Sequence, residues 1–420
     1  MYSILIYIVW FFIRVASLWN PKLKLFADGR KDCIRRIEDA VRGYDDIIWF
    51  HCASMGEFEE ARPVMEATRE RYPDRKILLT FFSPSGYEVR KNWPVVDWVF
   101  YLPMDTFSNA RRFVNAVRPS KAVFTIGEFW FNYLSQLRKN GIDTYIMSVR
   151  AVKASPYLKW YGGIYRKLLR DSYKAIMVKD GKTLELLHRS GCRNAVRTGD
   201  ARFDRVLSIA SEEWSNPVVD CWSCGRKVFV AGSTHQKDDD VVIPLINAFP
   251  DAKVLVVPHE LDMVPIRRIQ SSVVNKTVVY SEVEDDFISS DASIAESAEK
   301  SLKEAQVLII NKIGMLSKLY RYGEAAFVGG GFTTLPHSVI EAAVYGMPVS
   351  MGPLYDKNLQ FVELMALGAA TPASMGQELA DWYKGLKADP ERLSELSRTA
   401  YEYCQDNGGA TERIMAIIFS

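Results

Sequence analysis

Six cysteines in 420 residues, at positions 33, 52, 192, 221, 224 and 404, are too few and too scattered for a disulfide framework. A reducing compartment fits that usage. Cys221-Trp-Ser-Cys224 is a lone C-x-x-C with no second pair and no histidine at finger spacing, and it reads as structural. Neither a G-x-G-x-x-G nor a Walker A sequence occurs, which weakens dehydrogenase and P-loop readings. The apolar run Ile4 to Ile13 falls short of the ~20 residues that span a bilayer. Net charge is small as well: 53 Lys+Arg against 51 Asp+Glu leave +2, which excludes a chain that coats nucleic acid by charge alone. With 48% hydrophobic and 25% charged residues, disordered and low-complexity classes are excluded too.

The near-neutral total hides an asymmetry. Residues 1–208 hold 35 Lys and Arg against 22 Asp and Glu, an excess of +13, while residues 209–420 hold 18 against 29, or −11. At the positive end, the run Ile4–Ile13 carries Tyr7, Trp10, Phe11 and Phe12, is closed by Arg14 and Trp19, and is followed by Lys22, Lys24, Arg30, Lys31, Arg35 and Arg36. Basic residues after the run, none before it and no small-residue cleavage site argue against a secretory signal. Residues 1–20 therefore read as a membrane anchor, either a marginal span or an interfacial helix, with everything following on the cytoplasmic side. A buried first helix of a soluble domain is the alternative.

From residue 47 short β-branched or aromatic runs alternate with helical periodicity, the pattern of parallel sheets with crossover helices. Strands are expected at 47–51, 77–82, 98–102, 122–126, 144–147 and 175–178, then at 227–231, 253–257, 277–280, 307–310, 325–329 and 348–351. The division expected is an anchor at 1–20, a Rossmann-like domain at 21–210, a polar, turn-rich linker at 211–225 and a second Rossmann-like domain at 226–420. Residues 281–300, acidic and Ser-rich, read as a mobile loop. Two doubly wound α/β domains bind ligands where strand carboxyl ends face a cleft.

Four strand-to-helix turns carry polar residues. His51-Cys-Ala-Ser54-Met-Gly56-Glu57 places a carboxylate in the first turn of a helix, whose dipole favours the ionised form and suits a general base; ordinary charge complementation of a helix end explains it equally. Ser83-Pro-Ser85-Gly86 offers two hydroxyls and backbone amides to a polar or phosphorylated group, or forms a plain turn. In the second half Ala231-Gly-Ser233-Thr234-His235 follows a strand. There, Gly329-Gly330-Gly331 leads through Pro336-His337-Ser338 into a helix with free amides for an anion and Glu341 one turn in.

Ala53–Glu57, Ser83–Gly86, Tyr101-Leu-Pro-Met-Asp105, Gly199-Asp-Ala-Arg202-Phe-Asp204, Ser233–His235, Ala326–Gly330 and His337–Glu341 stand in the order found in 3-deoxy-D-manno-octulosonic acid (Kdo) transferases, which the chain resembles over nearly its whole length, the amino-terminal anchor included. The resemblance implies a GT-B glycosyltransferase, with two Rossmann-like domains facing a central cleft and an N-terminal membrane anchor helix. It implies inverting transfer of Kdo from CMP-Kdo to the lipid A precursor (lipid IVA) in lipopolysaccharide biosynthesis, at the cytoplasmic face of the cell inner membrane. Glu57 is then the catalytic base. Acceptor-binding positions are Ser54, Gly56, Ser83, Ser85, Gly86, Glu128, Arg150 and Arg202, the last in place of a family lysine. Donor-binding positions are Ser233, Thr234, His235, His259, Gly314, Met315, Gly329, Gly330, His337, Ser338 and Glu341. No metal ligand cluster is visible, and neither metal nor other cofactor is expected. An anionic membrane surface is an expected partner and nucleic acid is not. The chain departs from the family pattern at Ile126, where a glutamate is usual, at Val257-Pro258-His259, where Pro-Arg-His is usual, and at Pro336-His337-Ser338, where Gly-His-Asn is usual. Two other readings are a GT-B transferase using a UDP-sugar and a non-catalytic membrane-associated binding protein.

Overall fold

Strands buried on both faces are what parallel sheets covered by helices require, and β1 (Ile47–Cys52) is buried at every position. A computed structural model describes residues 2–127, 129–152, 154–333 and 336–420. Among the described residues, fourteen strands form two seven-stranded sheets, and every pairing within them is parallel. The chain divides into two units, Met1–Asp204 with Gly408–Ser420, and Arg205–Asn407.

In unit 1, β2 (Lys76–Phe81), β3 (Trp98–Tyr101), β4 (Lys121–Thr125), β5 (Asp143–Val149), β6 (Ala175–Val178) and β7 (Ala195–Arg197) join β1 in the order 3-2-1-4-5-6-7. The order reverses between β1 and β4, so the carboxyl end of β1 stands at the topological switch. Alternation along β1 splits its side chains between two cores: Ile47 and Trp49 pack with Phe113 and Tyr133, while Ile48, Phe50 and Cys52 pack with Phe58, Ala61, Val64 and Met65 of the Met55–Arg71 helix. The last helix, Ala410–Ile418, closes that second face with Ile414, Met415 and Ile418. Asp204 anchors its start, accepting hydrogen bonds from the amides of Gly409 and Thr411 at 2.5 Å each. Residues 408–420 therefore belong with the first unit and not, as expected, with the second.

In unit 2, β8 (Val228–Thr234), β9 (Val254–Pro258), β10 (Thr277–Val279), β11 (Val307–Ile309), β12 (Gly323–Val328), β13 (Val349–Met351) and β14 (Ala370–Pro372) run in the order 10-11-9-8-12-13-14. Here the switch lies between β8 and β12. Two expected loops are helical. Residues 211–225 contain the Pro217–Ser223 helix, capped by the Asn216 side chain and buried through Val218, Val219 and Trp222. Residues 281–300 form the Tyr280–Phe287 and Ala292–Glu304 helices, because Tyr280, Ala298 and Leu302 supply a buried stripe that the acidic composition conceals. The edge strands β7 (Ala-Val-Arg) and β14 (Ala-Thr-Pro) are buried only at their first residue and carry no apolar run to be read from sequence.

The amino-terminal run forms the Tyr2–Ala16 helix, followed by the Pro21–Asp28 helix. Fifteen residues reach about 22 Å, against a hydrocarbon core of about 30 Å. No helix among the described residues is long and apolar enough to cross a membrane. The helix is tied to unit 1 at one end: the Tyr2 hydroxyl donates to Asp105 Oδ2 at 2.9 Å, and Ser3 Oγ accepts from the Phe107 amide and the Asn132 side chain. Ile4, Leu5, Phe11, Phe12, Leu18 and Trp19 remain exposed. Arg30, expected to face lipid with the basic cluster, is instead buried: it donates to the carbonyls of Leu102, Phe26 and Phe82 and stacks on the Phe26 ring, because its guanidinium supplies donors that three strand-end and helix-end carbonyls need.

Asp105 is 1% exposed. Burial lifts its carboxyl to about 6, against the bonds from Tyr2, Asn132 and Tyr133 that pull it down. A carboxyl with its folded value raised above the ordinary ~4 stabilises the fold fully below pH ~4 and loses that contribution as pH rises through 6, about 3 kcal/mol at most. Hydrogen exchange of the β1–β4 amides between pH 4 and 7 is expected to show this fall, and Asp105→Asn to flatten it. An unchanged profile in the variant contradicts the assignment.

Candidate functional site

In unit 1 the polar residues gather where β1 and β2 end side by side, Cys52 opposite Phe81. Ser54 caps the Met55–Arg71 helix, its hydroxyl accepting from the Glu57 amide at 3.5 Å, and the Glu57 carboxylate turns back to accept the Ala53 amide at 2.5 Å. Glu57 is thus fixed at the strand end and half-buried. The neighbouring turn is pinned to it: the Ser83 amide donates to the Ala53 carbonyl at 2.7 Å, and Ser83 Oγ lies 3.0 Å from Ser85 Oγ.

The two glycines differ. A Cβ on Gly86 would stand 2.2 Å from the Phe81 ring, so packing alone demands glycine there. Gly56 has helical backbone and open space around it, so neither strain nor packing demands glycine; its exposed backbone leaves the surface beside Glu57 clear. Of the remaining acceptor-side positions, Arg150 directly follows β5, and Glu128 lies outside the described residues. Ile126, two residues before it, holds a left-handed φ of 68°, an unfavourable conformation for a β-branched side chain.

Arg202 is engaged with the protein itself. Its guanidinium pairs with Asp200 at 2.6 Å and Glu60 at 3.2 Å, and Lys179, following β6, bridges the same carboxylates at 2.5 Å to Glu60 and 3.2 Å to Asp200. Burial and the charge of Asp200 push Glu60 up, whereas Lys179 and Arg202 overcome burial and hold Asp200 well below the usual carboxylate range. Glu60 stands one turn after Glu57 on the same helix, so this network fixes the rotation of the helix that carries Glu57. Glu60 and Lys179 escaped the sequence reading; the one signal available was an acid at a core-facing helical position.

In unit 2 the strand ends flanking the switch converge. Ser233 (φ 54°) and Thr234 end β8, and His235 opens the Gln236–Ala248 helix. Asp238 accepts from the His235 amide and the Gly330 amide, both at 2.9 Å, and so ties the β8 turn to the β12 turn. A Cβ on Gly329 would meet the Ser233 carbonyl at 2.2 Å and one on Gly331 the Gly352 amide at 2.4 Å, while Gly330 has φ 87°. Gly329 and Gly331 serve close strand-end packing, and Gly330 the left-handed turn between them. The expected anion-binding helix end is not formed: the helix is one turn long, Ile340–Ala343, with Pro336, His337 and Ser338 outside it, the Gly329 amide bonded to Gly232 and the Gly330 amide to Asp238. Glu341 lies in that turn, near the buried Tyr320 hydroxyl. Gly314 (φ 84°) and Met315 follow β11, two strands from β8 on the same edge.

His235, His259 and His337 meet, one from each of the β8, β9 and β12 ends, with ligand nitrogens all within 4.8 Å of one another. The absence of a metal-ligand cluster noted in the sequence is corrected here, because ligands at 235, 259 and 337 are joined only by sheet order. Burial, then the neighbouring imidazoles, lower His337 to about 4; burial, then His235, lower His259. Beside His235 a cavity of about 400 Å³ is lined by Gln236, Pro258, Glu260 and Arg268.

The fold is similar to solved structures of UDP-GlcNAc 2-epimerase from Neisseria meningitidis (TM-score 0.60, 12% identity, 89% of this chain and 99% of that one) and MurG from Acinetobacter baumannii (TM-score 0.54, 12% identity, 89% and 99%). Those likenesses establish the fold alone. In sequence, residues 19–205 match the family model described as 3-deoxy-D-manno-octulosonic-acid transferase (kdotransferase). The enzyme of that name from Chlamydophila psittaci is 26% identical over 351 residues, covering 78% of this chain and 75% of its own, and that from Haemophilus influenzae 24% over 387, covering 88% and 86%. The family match and the relatives indicate a glycosyltransferase. Within that class, the chain is similar to the Kdo transferases, which the family match covers over residues 19–205 and the two relatives over most of its length.

Proposed function

We propose that the protein transfers Kdo from CMP-Kdo to the lipid A precursor, lipid IVA, with inversion, in lipopolysaccharide synthesis. The observation carrying this reading is the Glu57 carboxylate held at the β1 end beside the Ser83–Ser85 turn, in a chain similar to the Kdo transferases. Glu57 takes the proton of an acceptor hydroxyl, Ser54, Ser83, Ser85, Arg150 and Glu128 hold the acceptor, and Arg202 orients the helix bearing Glu57 through Asp200 and Glu60. Ser233, Thr234, His235, His259, His337, Ser338 and Glu341 at the unit 2 strand ends hold the donor.

The Tyr2–Ala16 helix lies in the interface of the inner membrane on its cytoplasmic side, Phe11 and Phe12 in the lipid and Lys22, Lys24 and Lys31 near anionic headgroups. Anionic vesicles are expected to sediment the protein, and Phe11→Glu with Phe12→Glu to release it; equal sedimentation of the variant refutes the placement. The reaction is tested by mass spectrometry of lipid IVA incubated with protein and CMP-Kdo, which gains one or more Kdo masses. Calorimetry decides the donor: CMP binds more tightly than UDP, and the reverse order overturns the donor assignment.

A further inference from the structure

Three of the chain's five histidines converge on one point of unit 2 although 24 and 78 residues separate them in sequence. Each comes from a different strand end: His235 after β8, His259 after β9, and His337 from the segment following β12. Their ring centroids lie 4.4, 4.8 and 5.3 Å apart, and Nε2 of His235 faces Nε2 of His337 at 3.1 Å. That separation is close to the spacing of neighbouring imidazole nitrogens on an ion with bonds of about 2.0–2.1 Å.

The backbones bearing the rings are fixed independently of any ligand. The His235 amide is held by Asp238, the His259 amide donates to the Thr234 carbonyl at 2.8 Å, and His337 donates to the Gly329 carbonyl and accepts from the Asn358 side chain at 2.8 Å. A hydrogen bond between two imidazoles would use only two of the three rings, and a shared anion would need protonated ones. All three ring nitrogens instead gather at one point, which a single ion ligated by the three imidazoles satisfies.

We propose that His235, His259 and His337 form a site for a divalent transition-metal ion of the Zn²⁺ class, with a further coordination position open to the cavity beside His235. Imidazole ligation selects Zn²⁺, Co²⁺ or Ni²⁺ over Mg²⁺ and Ca²⁺, and three protein ligands leave a position for an oxygen ligand. The assignment concerns an ion and is independent of which nucleotide the unit binds. The other metal-seeking pair, Cys221 and Cys224, lies elsewhere in unit 2, in and just after the Pro217–Ser223 helix.

The test uses the full-length protein stripped with chelator and titrated with CoCl₂ and ZnCl₂. One ion per chain is expected, with visible Co²⁺ bands and no near-ultraviolet thiolate charge-transfer band. Zn²⁺ is expected to raise the melting temperature. His235→Ala, His259→Ala and His337→Ala are each expected to weaken binding more than about 100-fold, and Cys221→Ser with Cys224→Ser to leave it unchanged. The Co²⁺ spectrum of the unaltered protein distinguishes imidazole from thiolate ligation even where an alanine variant fails to fold. Absence of stoichiometric binding, binding that survives the histidine variants, or a thiolate spectrum overturns the site. So does CMP binding to metal-free protein that depends on the histidines while no metal is taken up.

Discussion

Glu57→Gln is expected to lower turnover of CMP-Kdo and lipid IVA by about 10²–10⁴-fold, the usual contribution of a positioned general base, with little change in affinity for CMP. Glutamine keeps the shape and can still accept the Ala53 amide, so the helix start is preserved while the proton acceptor is lost. That separates catalysis from capping. Loss of the cap alone would cost about 1 kcal/mol of stability and leave kcat near normal; a base removed from an intact site leaves stability near normal and kcat collapsed. Steady-state kinetics with a parallel thermal melt reads both. Near-normal turnover in Glu57→Gln means that the carboxylate serves the helix and another group takes the proton.

Lys179→Met is expected to destabilise unit 1 by about 3–5 kcal/mol, the cost of leaving a buried charge without its partner. The Lys179, Glu60 and Asp200 side chains are only 10%, 7% and 6% exposed, and the lysine is within 3.2 Å of both carboxylates. Methionine fills the aliphatic space but leaves Arg202 alone against two acids. Glu60→Gln added to Lys179→Met is expected to restore part of the loss, since one uncompensated charge goes with it. Hydrogen exchange of β1 and β6 amides measures both variants. Additive losses in the double variant would show that the four groups do not act as one network. Because Glu60 lies one turn from Glu57, Lys179→Met is also expected to lower turnover in whatever fraction stays folded.

Much of the strand pattern was legible because buried parallel strands are continuous apolar runs: the first six strands of unit 1 fall within two residues of their expected ends, and Ala61, Val64 and Met65 are buried as their helical spacing implies. Legibility failed where the signal was short or borrowed. β7 (Ala-Val-Arg) and β14 (Ala-Thr-Pro) are edge strands buried only at their first residue and so lack the apolar run that marks the other strands, and residues 281–300 conceal a helical stripe of a few apolar positions in an acidic segment. The glycine-rich turn after β12 was visible as a turn, but its cause was not. Gly329 and Gly331 are glycine because other strand ends press against them, and Gly330 because its φ is left-handed. A sequence shows that glycine is present and not what approaches it.

The candidate site divides the same way. Glu57, Ser54, Ser83 and Ser85 were readable because each sits in a strand-to-helix turn whose chemistry is local: a cap, a hydroxyl, an acid at a helix start. The partners of Arg202, the burial of Arg30 and the meeting of His235 with His259 and His337 were not, because each depends on which strands lie side by side. By itself the sequence determined that this is a two-part α/β chain with polar turns at strand ends and a short apolar amino-terminal run, since hydrophobic period and turn residues act over a few neighbours. Only the tertiary structure decided which turns share an edge, which charges are spent on the protein's own carboxylates, and that residues 408–420 return to the first unit. Sheet order and burial bring together groups that no spacing along the chain connects.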